Sequence, residues 1–156
     1  MKVSKKKLLI SSCLMGNKVR YDGSGQLIDQ LEQLKKQFEL IVICPEVAGG
    51  MSTPRAAAEI VLDLNDGLPI VKDCQGEDVT EFYLKGAKKA LALCQKHHIR
   101  YALLKERSPS CGSRYIYDGH FKGKIINGDG ITARLLKEHG IKVYSEETID
   151  ELFRNS

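Results

Sequence analysis

Two short apolar runs near the start of the chain, Lys7 to Ser12 and Glu39 to Cys44, stop at polar or proline residues, the pattern of strands buried on both faces. Between them Leu27, Ile28, Leu31, Leu34 and Phe38 recur at helical spacing, so the first third reads strand, loop, helix, strand. A second cycle starts at Asp78-Val79-Thr80-Glu81, where Thr80 is suited to cap a helix running through Leu84, Ala87, Leu91 and Leu93 toward His98. A strand over Tyr101 to Lys105 follows. Ser113 to Tyr117 and His120 to Ile126 then flank Asp118-Gly119, a dipeptide that favours hairpin turns. The spacing predicts a helix over Gly130 to His139 closed by Gly140, a strand over Ile141 to Tyr144 and a short helix near Glu147 to Phe153. Leu62 to Gly76 is compatible with a β-hairpin around Asn65-Asp66-Gly67.

This alternation predicts an α/β protein: a three-layer, Rossmann-like open sheet, mostly parallel, with helices on both faces and residues 1–156 forming one domain. With 42% hydrophobic and 28% charged residues, the composition is that of a globular chain rather than a disordered one. The longest apolar runs fall far short of the ~20 residues that cross a bilayer, so no membrane partner is expected. The opening Met1 to Cys13 imitates a lipoprotein signal, but its apolar stretch, Leu8 to Ile10, is much shorter than the roughly 7–15 residues secretion needs, and it reads better as a first strand. A net charge of +4, spread along the chain, does not make a nucleic-acid footprint.

Five cysteines, an odd number without a secretion signal, argue for reduced thiols and a cytoplasmic location, and turn attention to metal binding or catalysis. Cys13 follows the first strand, Cys44 ends the second, and Cys111 lies in the loop after Tyr101 to Lys105. In an open parallel sheet these are the carboxyl ends where ligands collect. Each stands beside Gly or Pro in a polar context, in Cys-Leu-Met-Gly, Cys-Pro-Glu and Ser-Pro-Ser-Cys-Gly, which suits a ligand better than a core position. Three thiolates could hold zinc with one open position or three irons of a cubane, and spacing does not separate the two. Cys94 falls on the core side of a helix and Cys74 in a loop.

Other candidates gather at the same edge. Glu46, two residues beyond Cys44, is placed to act as acid or base, and Ser108 and Ser110 flank Pro109 just before Cys111, with Ser110 preferred for its adjacency. Arg20 and Arg55 could meet an anionic or carbonyl-bearing ligand, and Gly130 opens a helix whose N-terminus would attract an anion. His97, His98, His120 and His139 lack paired metal-ligand spacing and read as structural or exposed.

The chain resembles the thiouracil desulfidase family. The resemblance rests on Cys13-Leu14-Met15-Gly16 with Arg20-Tyr21-Asp22-Gly23, on Cys44-Pro45-Glu46 with Gly49 through Arg55, and on Lys105 through Gly112 containing Ser-Pro-Ser-Cys-Gly. It extends through Asp78-Val79-Thr80, Tyr117-Asp118-Gly119 and Gly128-Asp129-Gly130, nearly the whole chain. It implies a [4Fe-4S] cluster on three cysteines matching Cys13, Cys44 and Cys111, with one iron free to take the sulfur of a thiolated pyrimidine. Glu46 would then activate water or shuttle a proton, assisted by Ser108 or Ser110. No RNA-binding domain accompanies these blocks, so a thiolated base or nucleoside is expected as partner rather than intact nucleic acid. Two rival readings remain: a non-catalytic iron–sulfur or sulfur carrier, and a three-cysteine zinc hydrolase.

Overall fold

A computed structural model describes residues 5–62 and 69–156. Its first half contains β1 (Lys6–Ser11), a 3-10 turn over Ser12–Met15, α1 (Leu31–Gln37), β2 (Phe38–Ile43), α2 (Pro45–Ala48), β3 (Ala58–Leu62) and β4 (Pro69–Asp73). The second half continues with α3 (Thr80–His97), β5 (Tyr101–Leu104), β6 (Tyr115–Tyr117), β7 (Ile125–Asn127), α4 (Ile131–Glu138), β8 (Lys142–Ser145) and α5 (Ile149–Asn155).

Leu8, Leu9 and Ile10 are all fully buried because β1 lies inside the sheet, parallel to β2 on one side and to β5 on the other. β8 adds to β5, giving the order β2-β1-β5-β8, parallel throughout. Side chains alternate across such a strand. Leu8 and Ile10 therefore pack with Leu34 of α1 and Ile149 and Leu152 of α5, while Leu9 packs with Ala90 of α3 and Ala133 and Leu136 of α4. Each large aliphatic chain buried this way stabilises the fold by about 1.5–3 kcal/mol. The protein is thus the three-layer open parallel α/β fold that the sequence predicts. Among the described residues, no helix is long and apolar enough to cross a membrane.

Two antiparallel hairpins, β3–β4 and β6–β7, stand outside this sheet. Ile60, Val71 and Ile116 from them share a third apolar cluster with Tyr83 and Ala87 of α3 and Ile131 of α4. Of the hairpin expected over Leu62 to Gly76, β4 falls inside the span, but its antiparallel partner β3 begins upstream at Ala58 and reaches only Leu62; the turn residues Asn65-Asp66-Gly67 lie outside the described residues.

Several elements differ from expectation. Helix α1 begins at Leu31, not Leu27, because the preceding segment is tied to the turn after β1: Gln26 N–H donates to the Cys13 carbonyl at 2.7 Å and Ile28 N–H to the Leu14 carbonyl at 3.0 Å. Phe38, at the end of the helical pattern, belongs to β2. Thr80 does not cap α3 but is its first residue; Asp78 accepts its N–H at 3.0 Å, and its hydroxyl accepts the Val71 N–H at 2.9 Å, joining the helix to β4. The Asp118-Gly119 connection is wider than a two-residue turn, since Tyr117 pairs with Ile125.

Candidate functional site

Four parallel strands deliver one side of a cavity of about 650 Å³ at their carboxyl ends. β1 runs directly into the 3-10 turn carrying Cys13, and β2 is followed at once by Cys44, whose extended backbone opens α2. β5 leads into the loop bearing Cys111, and β8 is followed by Glu146. Cys13, Cys44 and Cys111 all line the cavity, all as free thiols. The hairpins close the opposite side with Ala58, Glu59, Tyr117 and Phe121.

The loop after β5 is built as core. Glu106 is 1% exposed, yet its carboxylate is satisfied. One oxygen accepts the backbone N–H groups of Ser113, Arg114 and Tyr115 at 2.8, 2.9 and 3.2 Å, and the other the Ser113 hydroxyl at 3.1 Å. Burial alone would raise its pKa, but these hydrogen bonds to the charged form, with the Ser145 hydroxyl, outweigh it and leave the group lowered to about 2. The carboxylate therefore folds the chain back on itself around Cys111. Helix α4 seals the other side: the N–H groups of Ile131, Thr132 and Ala133 donate to the carbonyls of Pro109 and Ser110. A Cβ on Gly130 would stand 2.5 Å from the Ser110 carbonyl, so only glycine permits this approach. The helix N-terminus expected to attract an anion is thus occupied by the protein's own loop.

Glu46 is fixed with equal care. Arg55, its side chain 6% exposed, meets its Oε2 through Nε at 2.7 Å and Nη2 at 2.5 Å. The guanidinium also donates to the carbonyls of Val19 and Ser52, both at 3.0 Å. Arg55 is therefore engaged with Glu46 rather than open to a ligand; Arg20 lines the cavity. Glu46 Oε1 accepts the Ser108 hydroxyl at 3.3 Å. The same Ser108 oxygen accepts the N–H groups of Ser110 and Cys111, each at 3.1 Å, coupling the acid's position to that of the thiol. Tyr83 of α3 also faces Glu46; burial first, and then the Glu46 charge, push its hydroxyl well above the usual range. Helix α3 comes this close because residue 86 is glycine: a Cβ there would lie 1.9 Å from the Pro45 carbonyl oxygen.

Ser110 is placed elsewhere. It is fully buried, its hydroxyl 2.8 Å from that of Thr132 on α4, and it does not line the cavity. The structure puts Ser108 rather than Ser110 on the cavity: the residue next to Cys111 turns inward to the helix, and the one before the proline turns outward to Glu46. Cys94 is buried in the core and Cys74 exposed, as expected, and no histidine lines the cavity. Sequence reasoning missed Glu106, Tyr83, and the ion pair of Lys105 with Glu146 at 2.8 Å beside Cys13. A carboxylate two residues before the Ser108-Pro109 turn was the available signal for Glu106.

The three thiols are near one another but not gathered on a point. Burial, followed by the neighbouring Cys44, pushes Cys13 up to about 11. Burial is also the leading cause of the upward shifts of Cys44 and Cys111, and Cys111 feels both other cysteines. Ser11, fixed by the Lys105 N–H at 3.1 Å, directs its hydroxyl to the Cys111 sulfur at 3.6 Å. Among the described residues, no three His, Cys, Asp or Glu side chains converge as ligands of a single ion. Soft donors distributed around a roomy cavity, each pushed up chiefly by burial, fit a multinuclear thiophilic group whose positive charge would hold them as thiolates.

These features define an α/β protein with a cysteine-lined ligand cavity at the carboxyl ends of its strands. A family model described as 2-thiouracil desulfurase matches residues 8–148, and the chain belongs to that family. An uncharacterized protein, YbbK of Bacillus subtilis strain 168, is 43% identical over 149 residues, spanning 93% of this chain and 99% of that protein. The solved structure of a [4Fe-4S]-dependent thiouracil desulfidase, TudS, superposes with a TM-score of 0.86 at 44% identity, covering 96% of each chain.

Proposed function

We propose that this protein is a thiouracil desulfidase that holds a [4Fe-4S] cluster on Cys13, Cys44 and Cys111 and converts a thiolated pyrimidine base or nucleoside, with water, to the oxo compound and sulfide. The observation that carries the reading is the meeting of three thiols with a pinned carboxylate in one cavity. The reaction is a hydrolysis: the carbon–sulfur bond breaks, a carbon–oxygen bond forms, and no net electrons are exchanged. When bound, the cluster would supply a soft Lewis acid that prefers the substrate's sulfur to oxygen.

The remaining work falls to the chain. Arg55 claims Glu46 Oε2, so Oε1 is the oxygen with room for a water proton. The Ser108 hydroxyl holds that oxygen toward the Cys111 side of the cavity. The Glu46–Arg55–Ser108 arrangement favours an enzyme over a carrier, which has no use for an oriented carboxylate, and the spread of the thiols favours a cluster over a single zinc ion.

The test is anaerobic reconstitution followed by iron and sulfide analysis, visible spectroscopy and sulfide release from 4-thiouracil. The expected product is a brown protein with about four irons per chain, lost when Cys13, Cys44 or Cys111 is replaced by Ala. A colourless protein that takes up only zinc overturns the reading.

A further inference from the structure

Among the described residues, three aromatic side chains are exposed by more than a third: Tyr21 at 42%, Phe121 at 38%, and Phe82. Tyr21 and Phe121 both line the thiol cavity although they come from loops far apart in sequence. Leaving aromatic surface in water forgoes burial, and Phe121 carries a backbone cost as well. Its φ is 55°, in the left-handed region that a bulky L side chain avoids. Glu59, only 8% exposed, sustains that conformation by accepting the N–H groups of Gly119 at 2.9 Å and Phe121 at 3.3 Å on one oxygen. A strained backbone held by a buried carboxylate, with an aromatic ring on a cavity lining as the result, points to the ring's use.

The rest of the cavity explains what that use is. Arg20, Lys105, Glu46 and Glu146 offer charged and hydrogen-bonding groups that can meet the edges of a ligand; of the other aromatic rings on the lining, Tyr83 is buried and Tyr117 half-buried, so the exposed flat surface is that of Tyr21 and Phe121. A thiolated pyrimidine is planar and has two π-faces that need such a surface. We infer that Phe121, with Tyr21 on the same cavity, is the platform on which the substrate ring stacks, and that this platform selects planar heterocyclic thiocarbonyls over open-chain ones. Glu59 is the positioning residue behind it. The ring's identity rests on the desulfidase reading; the platform itself does not.

The chain contains no tryptophan, so Phe121→Trp installs a single fluorescent reporter at the cavity. In that variant, uracil and 4-thiouracil are expected to quench the emission saturably, and thiourea, which has the thiocarbonyl but no ring, is not. In turnover, Phe121→Ala and Phe121→Leu are expected to raise KM for 4-thiouracil about tenfold, the order contributed by one stacked base, while kcat falls far less and iron content is unchanged. Phe121→Tyr should retain the wild-type KM. Glu59→Gln, which keeps an acceptor oxygen, should behave as wild type, and Glu59→Ala should approach Phe121→Ala. An unchanged KM in both Phe121→Ala and Phe121→Leu, or equal quenching by thiourea, overturns the inference. A wild-type protein that releases no sulfide, beside a Phe121→Trp variant still quenched by uracil, defeats the desulfidase reading and leaves the platform standing.

Discussion

The two walls of the cavity are built on opposite plans. The wall carrying Cys111 is folded like a hydrophobic core: Glu106, Ser110 and Cys111 are each under 5% exposed, and the loop is bound on one side by a buried carboxylate and on the other by helix α4. The rim carrying Tyr21 and Phe121 leaves its aromatic side chains in water, with the Phe121 turn held from beneath by Glu59. A thiol that must meet a rigid inorganic group gains from a loop that cannot relax, because misplacement by a fraction of an ångström weakens a metal–sulfur bond. A rim that admits and releases a small planar molecule needs access more than rigidity. Rigid support behind the reacting atoms and open surface before them are therefore separated within one cavity.

That contrast can be broken from the rigid side. The largest effect is expected at Glu46, the point where the rigid wall touches the chemistry. Glu46→Gln preserves size and hydrogen bonding but removes the base, so turnover should fall about 10²–10⁴-fold, as for loss of general acid–base catalysis, with the visible spectrum unchanged. Loss of colour together with activity would instead make Glu46 part of the cluster's support.

Glu106 tests the wall itself. Its pKa falls from 4.5, the value of an unperturbed glutamate side chain, to about 2 in the folded protein. The stabilisation is therefore present in full above pH 4.5 and is lost as the pH falls toward 2 and the folded carboxylate takes up its proton. The shift corresponds to about 3 kcal/mol. Acid unfolding followed by circular dichroism should show a transition in that window, and Glu106→Ala should already be destabilised at neutral pH and hold iron poorly. Equal acid profiles for the two proteins would remove Glu106 from its place as the loop's anchor.

The smallest effect separates the two serines. Ser108→Ala should lower kcat clearly, since it frees Glu46 Oε1 and two N–H groups beside Cys111. Ser110→Ala removes only the hydrogen bond to Thr132 and should cost stability on the order of 1 kcal/mol, with KM and kcat near wild type. Steady-state kinetics beside thermal melts decides the matter, and a reversed pattern would restore Ser110 to the chemistry.

Much of this protein was readable in one dimension. The apolar runs at Lys7 to Ser12 and Glu39 to Cys44, with helical spacing between them, point to a parallel sheet; β1 is covered on both faces as its run predicts, whereas β2 stands at the sheet edge with Glu39 and Val42 exposed. Cysteines at the carboxyl ends of such strands, close behind the strand at Cys13 and Cys44 and in the following loop at Cys111, fall at one edge, so the three were legible as a group. What only the tertiary structure decided is which way short side chains turn. Ser108 and Ser110 are equivalent in sequence, and their separation into one facing Glu46 and one facing Thr132 comes from helix α4 donating to the loop between them. The pairing of Arg55 with Glu46, the burial of Glu106 under three backbone N–H groups, and the placement of Tyr21 and Phe121 on one cavity depend likewise on contacts between distant segments. Periodicity records whether a residue faces the core or water, whereas the direction of a hydrogen bond is set by the partner the fold brings to it.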